Sequence, residues 1–327
     1  MLSFGILPAV LKYPVKDCVR RAVQYEKAGF EVLWEGDHFL PWYHTEGHAA
    51  DAYVALTAYL QTTGIKSAWM GCPCIRQQPA DVALRISTMA ALYPGRVILG
   101  VGTGEQMNEK AVTGRWPSTR ERIERLVESI ELIRKLWTAT EFFRFKGKYF
   151  DTQGLIYDRP ESPIPIFVAA SGKRMMEIAG RYGDGFITIA PPSLIKNELI
   201  PAFERGAKEA GKDPSRLERC AWICTSFHPD SEQALKIARK FAGLLIPECY
   251  TVQFDPRVIE ARALLVRDDA MKEVFIIATT PDEIISGVEK YVNAGITHII
   301  LDEISPDPSL TPKIYREKVI PYFREKR

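Results

Sequence analysis

The stretch Gly36-Asp37-His38-Phe39-Leu40-Pro41-Trp42-Tyr43-His44-Thr45-Glu46-Gly47-His48 holds three of the five histidines in the chain. Imidazoles beside a carboxylate can move protons, bind a metal or recognise a polar ligand. His44 and His48 are four residues apart, as on a zinc-binding helix. Pro41 and the intervening Thr45-Glu46-Gly47 argue against a helix there, and no further ligand is evident. An incidental cluster of polar loop residues is the other plain reading. Acid/base work fits the residue types better. Asp37 and His38 are adjacent, Glu105 arrives from a second strand end, and Trp42 offers a flat wall with an N–H donor. Neighbouring residues at a strand end can point in opposite directions, so Asp37 and His38 need not touch.

Two further segments carry weaker signals. Gly100, Gly102 and Gly104 let the backbone of Gly100-Val101-Gly102-Thr103-Gly104 come close to a ligand, although the spacing is not GxGxxG. Ser171-Gly172 opens a helical pattern, where free N–H groups suit an anion such as phosphate. The six cysteines, at 18, 72, 74, 220, 224 and 249, are scattered and read as buried thiols. One proline between Cys72 and Cys74 is not the CxxC spacing of a redox or metal site.

Such residues act together only if the fold gathers them. Short apolar runs (LSFGILPA, EVLWEGDHF, KSAWMGC, RVILGVGTG, IPIFVAA, GFITIA, CAWICTSF, THIILDE) alternate with stretches of helical period. Eight such units favour an α/β fold of the (β/α)8 TIM-barrel type over a doubly wound sheet. The expectation is a single domain over residues 1–327, with a hairpin-bearing insertion near 138–163 and a second insertion of mixed helical character near 243–280. In such a barrel the loops after the strands converge on one face, which collects Asp37, His38, Trp42, Glu105 and Ser171. The 43 basic and 41 acidic residues nearly cancel and form no long cationic run, so nucleic acid is not an expected partner. No apolar stretch reaches the roughly 18 to 20 residues of a membrane span, and the start lacks a secretory leader. The expected location is the cytoplasm.

The run Asp37-His38-Phe39-Leu40-Pro41-Trp42, together with Gly100-Val101-Gly102-Thr103-Gly104-Glu105-Gln106-Met107-Asn108-Glu109, resembles the bacterial luciferase-like barrel enzymes that use the deazaflavin coenzyme F420. The similarity is greatest to the branch holding glucose-6-phosphate and secondary-alcohol dehydrogenases. It extends through Trp116-Pro117, Ala169-Ala170-Ser171-Gly172, the Ala179–Phe186 run and Pro281-Asp282-Glu283. By this resemblance Asp37 serves the deazaflavin ring, His38 the substrate hydroxyl, and Trp42 the substrate. Glu105 stands near the reacting oxygen or the pyrimidine edge, while Thr103, Asn108, Ala170, Ser171 and Gly172 hold the cofactor and its phosphodiester tail. The resemblance also implies a cis peptide behind the ring, at Pro73-Cys74 or Cys74-Ile75, so that Pro73, Cys74 and Ile75 form part of the cofactor wall. The loop carrying them is about four residues shorter here than is common in the family. Relatives of this kind are commonly homodimers, and a homodimer is the expected assembly.

The implied activity is hydride transfer between an alcohol and F420. Rival readings on the same barrel are a sugar-6-phosphate dehydrogenase, a methylene-tetrahydromethanopterin reductase, an FMN-dependent monooxygenase and a binding subunit without catalysis. The sugar-phosphate enzymes grip the substrate phosphate with two lysines and an arginine, and those positions fall on Pro192, Ala261 and Val274. None is charged, and Arg262 is a single neighbouring cation. The expected substrate is therefore a small, uncharged alcohol with its ketone, most simply a short secondary alcohol such as 2-propanol.

Overall fold

The computed structural model describes residues 2–325. The eight apolar runs become β1 (Ser3–Ile6), β2 (Val32–Gly36), β3 (Lys66–Gly71), β4 (Val97–Val101), β7 (Ile166–Ala169), β8 (Gly185–Thr188), β9 (Glu218–Phe227) and β11 (His298–Glu303). All their pairings are parallel, and β1 pairs with β11 while β8 pairs with β9, so the sheet closes as the expected barrel. The region 138–163 carries the expected hairpin, in which β5 (Phe143–Lys146) pairs antiparallel with β6 (Asp151–Gly154).

The region 243–280 supplies three short helices, Pro247–Thr251, Pro256–Ala263 and Asp268–Val274. It then ends in β10 (Ile276–Ala278), which pairs with the far end of β9, Ile276 opposite Thr225. Three residues are too few for a strand period to appear in the sequence. The helix Gln106–Thr113 after β4 was not anticipated either. It is short, and the signal for it is Gly114, which closes it in the left-handed region at φ 68°.

Local chemistry sets several boundaries. Asp51 and Ser118 accept N–H groups at the starts of Ala52–Thr62 and Thr119–Thr138, and Thr280 with Glu283 forms a capping box; such caps are worth about 1 kcal/mol each. Two π turns, Ile195–Leu199 and Tyr315–Val319, each precede an Ile-Pro pair at 200–201 and 320–321. Proline has no N–H for the carbonyl four residues back. The wider turn just before it, closed by Ile200 N–H on the Ile195 carbonyl and Ile320 N–H on that of Tyr315, accommodates the break without ending the helix.

Inside the barrel, alternate residues of the strands pack as Leu7, Trp34, Ile98, Phe167, Ile187 and Ile300. Trp34 stacks on Phe167 at 6.1 Å and donates its indole N–H to His298 Nε2 at 3.3 Å. Accepting that bond requires a neutral ring, and burial pushes the His298 pKa down to about 3. Gly5 makes room for this pair, because a Cβ there would lie 2.7 Å from the Trp34 ring and 2.8 Å from His298. Gly5→Ala is expected to cost about 1 to 3 kcal/mol through overpacking. Urea unfolding of both proteins measures it, and an unchanged midpoint would mean that the indole can retreat.

Candidate active site

The loops and strand ends at the carboxyl side of the barrel surround a cavity of about 340 Å³. Asp37 and His38 enter it directly after β2, Gly71 and Cys72 from β3, and Thr103 to Glu105 from the turn after β4. Ala170 and Ser171 follow β7, and Trp222 and Cys224 stand two apart on β9. The 243–280 segment closes one end with Leu244, Leu245, Tyr250, Val274 and Phe275. Trp42 completes that end, packed edge-on against Tyr250 at 5.0 Å and tilted toward His38 at 5.8 Å between ring centres.

His38 and Glu105, from different strand ends, meet with Nε2 3.3 Å from Oε2. One side chain arranges this meeting. Asn108 Oδ1 accepts the backbone N–H groups of Phe39 at 2.9 Å and Leu40 at 3.3 Å, so its amide nitrogen faces the other way and donates to Glu105 Oε2 at 3.1 Å. His38 Nδ1 lies 3.1 Å from the Leu40 carbonyl. A carbonyl only accepts, so Nδ1 carries the proton and Nε2 presents a lone pair toward Glu105.

The protonation states follow from enclosure. Burial, with a smaller effect from the Arg76 charge, lowers the His38 pKa to about 4 despite the Leu40 bond. Burial, with the Glu109 carboxyl nearby, raises that of Glu105 to about 8. At neutral pH the imidazole is thus neutral and the carboxyl protonated, the latter the reverse of its state in water.

Asp37 is held by a different set of partners. Its Oδ2 accepts Arg76 Nη2 at 2.5 Å and the Gln77 amide, and Gln77 is itself held by Tyr53 at 2.9 Å and Arg85 at 3.0 Å. Burial raises the Asp37 pKa, with Arg76 opposing. Arg76 also donates its backbone N–H to Glu109 at 2.7 Å. Burial carries the Glu109 pKa up to about 7 even though Arg76 opposes it.

Of the residues named from sequence, Asp37, His38, Trp42, Thr103, Glu105, Asn108, Ala170 and Ser171 border the cavity. Gly172 lies one step outside, as the N-cap of the helix Lys173–Tyr182, with no side-chain cap bond. Pro73, Cys74 and Ile75 do not line the cavity. Cys72 does, and the Cys74 sulfur sits behind it at 3.4 Å. The expected cis peptide is corrected too: every peptide bond among the described residues is trans, and residues 73–76 make their turn in that lower-energy form. His44 and His48 lie away from the cavity in non-helical backbone. Sequence reasoning missed Arg76 and Gln77, which carry no pattern. It also missed Trp222 and Cys224, although the alternation in Cys220-Ala221-Trp222-Ile223-Cys224 puts both on one strand face.

Known proteins place the chain further. It is 37% identical over 333 residues to an F420-dependent glucose-6-phosphate dehydrogenase of Amycolatopsis mediterranei, covering 99% of each chain. It superposes with a TM-score of 0.95 on an F420-dependent secondary alcohol dehydrogenase in complex with an F420-acetone adduct, at 38% identity and 98% coverage of both chains. A coenzyme F420 dependent tetrahydromethanopterin reductase from Methanopyrus kandleri shares the fold, with a TM-score of 0.79 and 22% identity over 98% of this chain and 99% of that one. The luciferase-like monooxygenase family model matches residues 2–298, nearly the whole barrel, and the chain therefore belongs to the luciferase-like family.

Proposed function

We propose that this chain is an F420-dependent alcohol dehydrogenase that oxidises a small, uncharged secondary alcohol to its ketone. The observation that carries the substrate class is the charge of the cavity. Among the described residues its lining includes Asp37, Glu105 and Glu109 and no Lys or Arg. A phosphate dianion at the closed end would face Trp42, Trp222, Leu244, Leu245, Val274 and Phe275, and a buried anion without cationic partners loses several kcal/mol. Of the three positions where sugar-phosphate enzymes carry cations, Val274 borders the cavity, and Pro192 and Ala261 do not. Arg262 is exposed and outside the lining.

The residues present fit the cofactor. A flat tricyclic ring with one polar edge needs apolar walls, which Met70, Cys72, Ala169, Ala170 and Ile187 supply, and polar groups such as Asp37, Thr103 and Ser171 at the edge. The uncapped N–H groups at the start of Lys173–Tyr182 suit the phosphodiester. When bound, the deazaflavin supplies the acceptor for the hydride leaving the carbinol carbon.

The protein's own part is the proton. Once Glu105, 3.3 Å away and protonated at neutral pH, has ionised, His38 Nε2 takes the hydroxyl proton and the Glu105 carboxylate stabilises the imidazolium that results. Asn108 and the Leu40 carbonyl hold both groups in that geometry. Trp42 and Tyr250 cover the reacting end and exclude water.

The direct test follows the visible absorbance of oxidised F420 with 2-propanol, ethanol and glucose 6-phosphate. Bleaching by 2-propanol is expected, whereas rapid bleaching by the sugar phosphate and none by the alcohols would establish a sugar-6-phosphate dehydrogenase instead. His38→Ala is expected to lower turnover by about two to four orders of magnitude while leaving F420 affinity nearly intact; near-normal turnover would remove His38 from the mechanism. The pH dependence has a definite sign. The carboxylate form of Glu105 accumulates as pH rises through about 8, so alcohol oxidation should climb there and ketone reduction should fall. Because the His38 pKa lies near 4, no inflection is expected around 6.5. Glu105→Gln should slow the reaction and abolish the inflection; its survival in that variant would assign it to another group.

A further inference from the structure

The apolar end of the cavity is backed by a buried ion pair that the proton transfer does not use. On β11, Asp302 stands opposite Cys224 of β9, and Ile300 opposite Trp222. Asp302 Oδ2 accepts the Trp222 indole N–H at 3.1 Å and the Cys224 thiol at 3.7 Å, while Oδ1 pairs with Lys12. Lys12 reaches in from the loop after β1. Its ammonium also donates to the Glu303 carbonyl at 3.0 Å and lies 4.7 Å from the centre of the Phe241 ring. Three donor groups thus meet three acceptor oxygens.

Both side chains are more than nine-tenths buried. Holding two strands together does not require this, since replacing a buried ion pair with apolar residues is often neutral or stabilising. A carboxylate adds direction, because it fixes where an indole N–H and a thiol S–H must point. Burial lowers the Lys12 pKa, but Asp302 together with Cys224 and Tyr13 opposes it and the net shift is upward, so the ammonium stays charged. Burial, reinforced by Asp302, holds the Cys224 pKa well above its usual value, so its sulfur keeps the proton it donates.

We propose that Lys12 and Asp302 are specificity-determining positioning residues, which fix the Trp222 indole and the Cys224 thiol as the wall against which the alkyl groups of the alcohol pack. The proposal rests on the alcohol dehydrogenase reading and extends it to chain-length selection. Neither residue lines the cavity, and both act through the two that do.

Asp302→Asn keeps the shape but leaves one carbonyl oxygen where Lys12, Trp222 and Cys224 all need an acceptor. The double variant Lys12→Met/Asp302→Leu removes both charges together and carries the test if the single variant fails to fold. The first readout needs no turnover: the emission of Trp222, taken as the difference between each protein and the same protein with Trp222→Phe. In both variants this emission should shift to the red and lose anisotropy, while F420 affinity stays close to that of the unaltered protein. The second readout is KM and kcat for 2-propanol, 2-butanol and 2-pentanol. KM for 2-propanol should rise about tenfold with a smaller change in kcat, and the 2-pentanol to 2-propanol preference should move by about fivefold or more. An unchanged Trp222 signal, or unchanged preferences across the series in the folded variants, would overturn the proposal. Oxidation of no alcohol by the unaltered protein would overturn the reading beneath it, and the Trp222 signal tells the two failures apart.

Discussion

The geometry of the site depends on a single amide. Asn108 joins the loop after β2 to the helix after β4 by accepting from Phe39 and Leu40 and donating to Glu105. Because one end can only accept and the other only donate, the amide also determines its own orientation and the face it offers to Glu105. His38 is locked from the same loop through the Leu40 carbonyl. Two groups from different strands are thereby held at 3.3 Å with their tautomer and direction already chosen.

Enclosure then keeps both members of that pair uncharged. A carboxyl raised to about 8 and an imidazole lowered to about 4 both sit in their neutral forms, because burial in the cavity disfavours charge on either. Asp37, the neighbour of His38 in the chain, has a different environment. Arg76 and Gln77 hold its carboxyl, so adjacent residues in the chain carry different electrostatic roles.

The rest of the cavity is divided by chemistry. Glycine-rich and polar strand ends after β4 and β7 leave backbone and hydroxyl groups available, while β9 and the 243–280 segment contribute an apolar, aromatic end. Short β10 matters because it anchors the end of that segment against β9, bringing Val274 and Phe275 to the cavity. Behind this apolar end, Lys12 and Asp302 pair with one another, both side chains nearly buried.

Much of this was legible in the residues themselves. The alternation of apolar runs with helical patterns determined the eight barrel strands and the face on which the loops converge, because periodicity is a local property of the chain. The types and order of Asp37, His38, Trp42 and Glu105 pointed to proton-transfer chemistry, and all four do border the cavity. Contacts through space were not legible. Nothing in the sequence places Asn108 between Glu105 and the Leu40 amide, brings Arg76 behind Asp37, or sets Asp302 beside Trp222 across 80 residues. The wall after β3 formed at Cys72 and not at 73–75 because the exact course of a turn depends on what packs against it. Protonation belongs to the same category: an imidazole and a carboxyl have ordinary affinities as sequence letters, and only the burial produced by the closed barrel moves them apart.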